Sequence, residues 1–398
     1  MSPMNRRRFL RSGLSAIAAR PASLVIGALG ADMAWATPRA QPAYQRLLIL
    51  VELKGGNDGF NTVVPYTDPA YYALRPKLAI PRDHVVQVTD RVGFHPALQS
   101  LQPLFDRGRL AVLLGVGYPA PNLSHFRSIE IWDTASSSDR YLADGWLART
   151  FAQAATPSRF AADGVVIGSN DMGPLAGSGA RALALANTDQ FLQRAKLARS
   201  EPSTGNPALA HILKVESDVV RAATHLDTSR TLATDFPGTP FGNVVRTACH
   251  VAASPGGVAC MRLTLNGFDT HGAQAGTQAR LLRELAEGLI ALQNGLTEIG
   301  RWDDTLVLTY AEFGRRPHEN LSGGTDHGTA SAHFALGGSV RGGVYGAMPD
   351  LSRLGSDGNV THTLDFRSVY ASVLDRWWGI DSAPVLGGRY EPVDLVRA

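Results

Sequence analysis

The 398-residue sequence has little cysteine, no strong excess of charge of either sign and no long uninterrupted apolar segment. Its two cysteines, Cys249 and Cys260, are too few for a disulfide scaffold, and their spacing is not that of a zinc motif. The sequence leaves open whether they form a disulfide or stay as two buried thiols. A chain of this length is expected to fold around its own hydrophobic core.

Charge is nearly balanced once the N-terminus is set aside. The formal net charge is +3, but residues 1–36 contain five arginines and one aspartate, so the rest of the chain is close to −1. Such a chain offers no strongly basic surface to nucleic acid or to anionic lipid. Nucleic acid is therefore excluded as an expected partner.

The N-terminus shows, in order, the features of a twin-arginine export signal. Arg6-Arg7-Arg8-Phe9-Leu10 precedes a mildly apolar stretch and then Ala34-Trp35-Ala36, a small-x-small cleavage site. An arginine and a proline interrupt that stretch, which makes it a poor membrane span. We predict a signal peptide over residues 1–36, the twin-arginine translocase as a partner during export, and a periplasmic or secreted mature domain over residues 37–398. No stable membrane span is expected after cleavage.

Short apolar runs that end in glycine-containing loops predict buried strands. They cover residues 47–53, 110–116, 163–168, 259–265 and 305–310. Leucines spaced by threes and fours over residues 278–299 predict an amphipathic helix. This alternation predicts an α/β fold with a doubly wound, mainly parallel sheet flanked by helices. Residues 169–240 have few strand signals, and we interpret them as a helical insertion with helices over residues 188–199 and 207–223.

Polar residues follow four of these runs, beside glycines, and the acids and histidines among them can bind metal. They are Asp58 after the first, Ser124 and His125 after the second, Asp269 and His271 after the fourth, and Glu312, Arg315, Asp326 and His327 after the fifth. Because carboxyl ends of parallel strands meet at one edge of a sheet, these side chains are expected to converge. We predict a site there for one or two divalent metal ions, with zinc favoured and manganese or calcium as alternatives.

Ser124 precedes a predicted helix that begins at His125, and it has two interpretations. Serine is a preferred N-cap residue, but free N–H groups at a helix start also suit an anionic ester. A metal ion nearby would lower the pKa of the hydroxyl and make it a nucleophile. His125 is a candidate ligand, general acid or partner of Ser124. Arg315 or Arg316 is a candidate clamp for an oxyanion, with a solvated salt bridge as the alternative.

Five segments together resemble the bacterial family called domain of unknown function 1501: GGNDGFNTVVPY, PNLSHFRSIEIWDT, GFDTHG, EFGRR and GTDHGT. That family is commonly exported by the twin-arginine route and is grouped with the alkaline phosphatase and sulfatase superfamily. The resemblance extends from about Leu47 to Trp378. It implies an alkaline-phosphatase-like fold and metal-site plan, while the activity of the family itself is not established.

The resemblance also implies roles for individual positions. Asp58 would be a ligand of one metal ion, with the preceding asparagine as a less favoured substitute. Asp269 and His271 would hold the other ion, although the superfamily usually spaces these two ligands more widely. His327 would be the last histidine ligand, and Asp326 beside it a ligand or a hydrogen-bonding partner.

The sequence departs from the superfamily pattern at two points. Where relatives end a strand with Asp-His, this chain has Glu312-Phe313, so one carboxylate is kept and one histidine is missing. One ion, or a different metal, is therefore an alternative to a two-zinc site. The segment Ser124-His125-Phe126-Arg127-Ser128 lacks the proline of the sulfatase modification motif, which favours phosphate esters over sulfate esters.

These observations predict a periplasmic metal-dependent hydrolase that acts on an anionic ester through Ser124. The first alternative is a non-catalytic metal-binding protein of the cell envelope, which the incomplete second metal site favours. The second is a transferase that moves a phospho-group onto a cell-envelope polymer, using the same site with an alcohol in place of water.

Overall fold

The computed structural model describes residues 43–185 and 230–397. The predicted signal peptide over residues 1–36 lies outside the described residues, as do the helices predicted over residues 188–199 and 207–223. Within the described residues, no helix combines the length and the apolar composition that crossing a bilayer requires.

The strands of the described residues are β1 (Leu47–Lys54), β2 (Val63–Val64), β3 (Val86–Gln87), β4 (Gly93–Phe94), β5 (Leu110–Gly117), β6 (Gly164–Ile167), β7 (Ala182–Leu185), β8 (Cys260–Asn266), β9 (Thr305–Tyr310), β10 (Gly314–Arg315), β11 (His327–Gly328), β12 (Ser331–Leu336), β13 (Gly343–Tyr345) and β14 (Leu364–Asp365). The α-helices are Gly59–Thr62, Pro69–Leu74, Gln102–Asp106, His125–Thr134, Trp146–Gln153, Pro240–Ala253, Gln274–Glu298, Phe366–Ala371 and Ser382–Leu386. Short 3₁₀ helices cover Arg82–His84, Pro96–Leu101 and Gly173–Leu175, and Ser372–Trp378 is π-helical.

The central sheet has the order β13-β5-β12-β9-β1-β8-β6-β7 in the part of the chain that the structure describes, and β14 also pairs with β5. β1 runs parallel to both β8 and β9, and β6 runs parallel to both β8 and β7. β12 alone is reversed among them, because it is antiparallel to β5 and to β9. β5 and β9 therefore point the same way. The predicted mainly parallel, doubly wound α/β fold is confirmed, while β12 was not predicted.

Hydrophobic cores cover both faces of the sheet. Along β1, Leu47, Ile49, Val51 and Leu53 belong to one core, and Leu48 and Leu50 belong to the other. The first core includes the buried faces of helices Pro240–Ala253 and Gln274–Glu298. The second includes helices His125–Thr134 and Trp146–Gln153. Because β1 is buried on both faces, its first five residues, 47–51, form a continuous apolar run without alternation.

Two features refine the expectations. The segment interpreted as a helical insertion contributes Ala182–Leu185 to the sheet, where it pairs in parallel with β6. Cys249 and Cys260 are both buried free thiols rather than a disulfide. Burial raises the pKa of Cys249 to about 12, so this thiol stays protonated at neutral pH.

Candidate metal centre

The predicted convergence of loops occurs at the carboxyl ends of β1, β5, β8 and β9. The chain after β5 leads into the helix His125–Thr134, and the chain after β8 carries Asp269 and His271. The chain after β9 carries Glu312 and then β10, which pairs with β11 so that Arg315 lies opposite His327. One edge of the sheet thus collects these side chains from distant parts of the sequence.

The loops approach closely at Gly55, directly after β1. Its φ is +117°, and a Cβ built there would lie 2.3 Å from the backbone nitrogen of Asp269. Only glycine accommodates both this backbone conformation and this contact. The glycine pair after β1 therefore permits the Asp269 loop to lie against the Glu312 loop.

Three side chains could together hold one metal ion. The ligand atoms of His125, Asp269 and His327 all lie within 4.8 Å of one another. His125 Nε2 is 3.4 Å from Asp269 Oδ2, and His327 Nε2 is 3.3 Å from Asp269 Oδ1. His271 Nε2 lies 3.1 Å from the same Oδ1. Three imidazole Nε2 atoms thus surround one carboxylate.

The opposite ring nitrogens are held by oxygen atoms. His327 Nδ1 lies 2.8 Å from the backbone carbonyl of Leu123, which can only accept, so this nitrogen is the donor. His125 Nδ1 lies 2.9 Å from Glu312 Oε1. Metal-binding histidines are usually held in this way, with one N–H on an oxygen and the other nitrogen free for the ion.

The contact between His271 and His327 shows that the residues present suit a cation. Their Nε2 atoms are 2.9 Å apart, and Nδ1 of His271 faces Asp326 Oδ1 at 3.5 Å. With both Nδ1 atoms turned toward oxygen, two neutral rings present lone pairs to each other. That arrangement is repulsive unless a proton or a metal ion lies between the two nitrogens.

Glu312 supplies a second indication that the donor set suits a cation. The residue is buried, and its Oε1 accepts hydrogen bonds from the backbone of Gly55 at 2.9 Å and from His125. Its Oε2 is buried and has no hydrogen-bond partner within the described part of the chain. A buried carboxylate oxygen without a partner is costly, and a cation nearby would reduce that cost.

Arg315 stabilises the positions of the loops around the candidate metal centre. Its guanidinium is fully buried and donates to Asp269 Oδ1 at 2.7 Å, to the carbonyl of Gly56 at 2.7 Å and to that of Thr325 at 2.9 Å. These bonds join the loop after β1 to the segments that carry Asp269 and His327. Most of the N–H groups of Arg315 donate to oxygen atoms of the protein. Its role as an oxyanion clamp stays a prediction.

The charges of the cluster shift the pKa values of its members. Partial burial acts to raise the pKa of Asp269, but the hydrogen bond and charge of Arg315 outweigh it and hold that pKa below its ordinary value. The hydrogen bond with Glu312 raises the pKa of His125. Burial lowers the pKa of His327, which favours the neutral ring that metal binding requires.

Ser124 lies where the sequence predicted, directly before the helix His125–Thr134. Its backbone has the extended conformation of an N-cap, but its side chain makes no capping hydrogen bond. The side chain is exposed. The hydroxyl is therefore not used as a helix cap, and it sits at a helix N-terminus next to a candidate ligand.

Asp58 is not brought into this cluster. It belongs to no group of histidine, cysteine and acidic residues close enough to hold an ion within residues 43–185 and 230–397. Arg75 binds both of its carboxylate oxygens, at 2.6 and 3.0 Å, and Gln274 donates to one of them at 2.5 Å. The Asp58–Arg75 pair is fully buried, with side-chain exposures of 0% and 1%.

Two further residues contribute to the site, and the packing role of the first, Phe313, was not predicted from the sequence. The ring of Phe313 packs against His125 and His327, with centroids 4.8 and 4.3 Å away. The ring of Phe313 therefore supports two of the imidazoles of the cluster. Asn320 donates to Asp326 and to the carbonyl of His271. In the sequence, the only indication of a role for Asn320 was its position in a loop close to glycines.

The chain belongs to the family described as "Protein of unknown function (DUF1501)", whose members it matches over residues 45–388. A comparison with curated proteins gave no match.

Solved structures with a similar arrangement include three proteins. The C-terminal periplasmic domain of EptC from Escherichia coli, in complex with zinc, is 12% identical, with 75% of this chain and 73% of that chain covered and a TM-score of 0.36. The lipoteichoic acid synthase LtaP from Listeria monocytogenes is 10% identical, with coverages of 88% and 76% and a TM-score of 0.38. The phosphonate monoester hydrolase of Agrobacterium radiobacter is 12% identical, with coverages of 87% and 78% and a TM-score of 0.38. Likeness of this extent carries no conclusion about activity.

Proposed function

We propose that this protein is a periplasmic, metal-dependent hydrolase of phosphate esters, with sulfate esters as less favoured substrates. One observation carries the proposal: the Nε2 atoms of three histidines surround Asp269, and Ser124 directly precedes one of them, His125. The hydroxyl of Ser124 makes no helix-capping hydrogen bond. Imidazole and carboxylate ligands with a free hydroxyl nearby are what metal-assisted ester hydrolysis requires.

His125, Asp269 and His327 would hold the ion, and His271 would be a fourth ligand. Nitrogen and oxygen donors in this number favour zinc, although manganese also accepts such a set. A bound divalent ion supplies positive charge that lowers the pKa of a nearby hydroxyl and neutralises an anionic ester. The remaining chemistry belongs to the side chains of this chain.

Ser124 is proposed as the nucleophile. Its Oγ would form a bond to phosphorus as the bond from phosphorus to the alcohol oxygen breaks, and the hydroxyl proton would leave with the alcohol. Water would then hydrolyse the phosphoserine to phosphate and restore the serine. The free N–H groups at the start of helix His125–Thr134 would bind the ester oxygens.

His125 is proposed as a ligand rather than a general acid. Both of its nitrogens face carboxylates, with Nδ1 on Glu312 and Nε2 toward Asp269. The ring therefore has no nitrogen free for a leaving alcohol, and Glu312 acts by orienting it.

The experiment measures ester hydrolysis by zinc-loaded protein purified from periplasm. The substrates are aryl phosphate monoesters and diesters, an aryl phosphonate ester and an aryl sulfate. We expect turnover of a phosphate ester by wild type and by Ser322→Ala, an exposed serine near His271 that serves as the matched control. Ser124→Ala should lose at least about a thousandfold of that activity. Acid quenching should trap phosphoserine at position 124 in wild type.

Two outcomes would replace this proposal. Stoichiometric metal without turnover of any ester would indicate a non-catalytic metal-binding protein. A phospho-group delivered to added glycerol in preference to water would indicate a transferase.

We also propose that export uses the twin-arginine translocase. The order of Arg6-Arg7, apolar stretch and Ala34-Trp35-Ala36 supports this route. Replacing both arginines with lysine should leave uncleaved protein in the cytoplasm, and cell fractionation measures this. Normal export of that variant would contradict the proposal.

A further inference from the structure

A second polar cleft lies at the opposite end of the helix that begins at His125. Its volume is about 240 Å³, and it opens directly after that helix ends at Thr134. A helix of ten residues is about 15 Å long, so the cleft is separate from the metal centre. Its lining includes Ser136, Arg140, Arg149, Arg367, Val385 and Tyr390.

The cleft carries more positive than negative charge. Arg367 pairs with Asp365 at 2.6 Å and lies over the ring of Tyr390 at 4.7 Å. Arg149 donates to the backbone carbonyls of Thr134, at 2.6 Å, and of Val385, at 2.8 Å, without an ion pair to any described carboxylate. Its charge is therefore held in place but not neutralised.

Arg140 adds a third charge at the mouth of the cleft. Its side chain is exposed and makes no ion pair or hydrogen bond among the described residues. The acids nearest in sequence, Asp139 and Asp144, are not among the lining residues, although Asp139 attracts Arg140 and Asp144 attracts Arg149 electrostatically. The lining thus contains three arginines and no acidic residue, and one of these arginines is paired with Asp365.

Several N–H donors in the cleft have no acceptor among the described residues. Within the described part of the chain, Nε and Nη2 of Arg367 donate to Asp365, and its Nη1 group makes no hydrogen bond. The whole guanidinium of Arg140 is also available. Guanidinium groups bind phosphate and sulfate through paired N–H bonds, and the excess charge makes such a ligand favourable.

We infer that this cleft is a binding site for an oxyanion, a phosphate or sulfate group, with its organic part against the ring of Tyr390. The site is distinct from the metal centre and does not depend on the proposed hydrolase activity. It would let the protein hold an anionic molecule while the metal centre is free.

Calorimetric titration tests the site with inorganic phosphate, inorganic sulfate and phenylphosphonate, which has no ester bond to hydrolyse. We expect one ion to bind wild type per cleft, and phenylphosphonate to bind more tightly than phosphate if the ligand carries an organic group. Arg140→Gln should weaken binding at least about tenfold, because a charge-assisted contact is lost. Arg389→Gln, an exposed arginine outside the lining of the cleft, should change affinity less than about twofold.

His327→Ala, which lacks a proposed metal ligand, separates the two sites. Oxyanion binding that persists in His327→Ala and weakens in Arg140→Gln supports the cleft. Binding lost in His327→Ala but kept in Arg140→Gln would assign the anion to the metal centre and overturn the inference. Absence of saturable binding to wild type would overturn it as well.

Discussion

Two aspartates in neighbouring loops show how one residue type acquires two different roles. Asp58 follows β1 and Asp269 follows β8, and each contacts a fully buried arginine. Arg75 takes both oxygens of Asp58, whereas Arg315 takes only Oδ1 of Asp269. Asp58 is fully buried, while the side chain of Asp269 is 47% exposed and faces three imidazoles.

An arginine can therefore close a carboxylate by binding both of its oxygens, or leave it open by binding only one. A buried bidentate pair has no capacity for a metal ion, because both oxygens are already neutralised. A carboxylate that an arginine binds at one oxygen keeps the other oxygen for a metal ion. The arginine then serves to position the carboxylate. Substitutions in the two pairs test this contrast.

Breaking the closed pair should cost the most stability. Arg75→Ala leaves the carboxylate of Asp58 buried without its cation, so the free energy of unfolding should fall by about 3–5 kcal/mol. Urea unfolding of metal-free protein measures this. His271→Ala, which changes an exposed side chain of the open cluster, should cost less than about 1 kcal/mol and serves as the comparison.

The double variant Asp58→Ala/Arg75→Ala makes the test more specific. It removes both charges, so it should be more stable than Arg75→Ala alone. Equal stability of the two proteins would show that lost packing, not the uncompensated charge, accounts for the effect.

Removing one ligand of the metal cluster should instead weaken metal binding strongly, with little loss of stability. His327→Ala removes one Nε2, and zinc affinity should fall by more than about a hundredfold, since outer partners alone contribute about 10–100-fold. Dialysis against buffered zinc followed by elemental analysis measures this. His318→Ala, an exposed histidine in the same segment, is the control and should bind zinc like wild type. Unchanged zinc content in His327→Ala would exclude this histidine as a ligand.

Removing the charge of Glu312 should have an intermediate effect. Glu312→Gln keeps the size of the side chain but weakens the hydrogen bond to His125 Nδ1. Zinc affinity should fall by about 10–100-fold. In metal-free protein the pKa of His125 should also fall, because Glu312 raises it, and NMR titration of the ring measures the change. A pKa for His125 that does not move would contradict the orienting role.

Buried histidines outside the cluster should make the protein less stable in acid. Burial lowers the pKa of His333 to about 3 and that of His95 to about 4, whereas the ordinary value is 6.5. Between those values and 6.5 only the unfolded chain binds these protons, so stability falls as pH falls through that window. Each such proton contributes about 1.4 kcal/mol per pH unit.

Urea unfolding at pH 7 and pH 5 measures this acid dependence. His333→Phe should reduce it, because the ring has no hydrogen-bond partner within the described residues and lies against Trp132. His318→Asn should leave it unchanged. A pH dependence identical in all three proteins would assign the effect to other groups.

Much of the fold was predictable because the signals are local. A strand buried on both faces requires a continuous apolar run, and the runs at residues 47–53 and 305–310 correspond to β1 and β9. The leucine spacing over residues 278–299 matches the helix Gln274–Glu298. β12 was missed because its six residues, all buried, include a serine and a histidine that interrupt the apolar pattern.

The candidate site was predictable in its residue types and less so in its connections. Asp269, His271 and His327 were recognised because each lies beside glycine after a strand. The partners that orient them, such as the carbonyl of Leu123, leave no mark in the sequence because any residue carries one. The roles of Ser124 and Arg315 as nucleophile and clamp stay predictions.

Local sequence dictates where strands end and which side chains follow them, because burial and turn formation depend on residues close together in the chain. Which carboxylate stays open depends instead on contacts between distant parts of the chain. Arg75 reaches Asp58 because the helix Pro69–Leu74 ends beside it, while Arg315 comes to Asp269 from a different strand and occupies one oxygen. The choice depends on the three-dimensional approach of two guanidinium groups, and no local pattern encodes that distance.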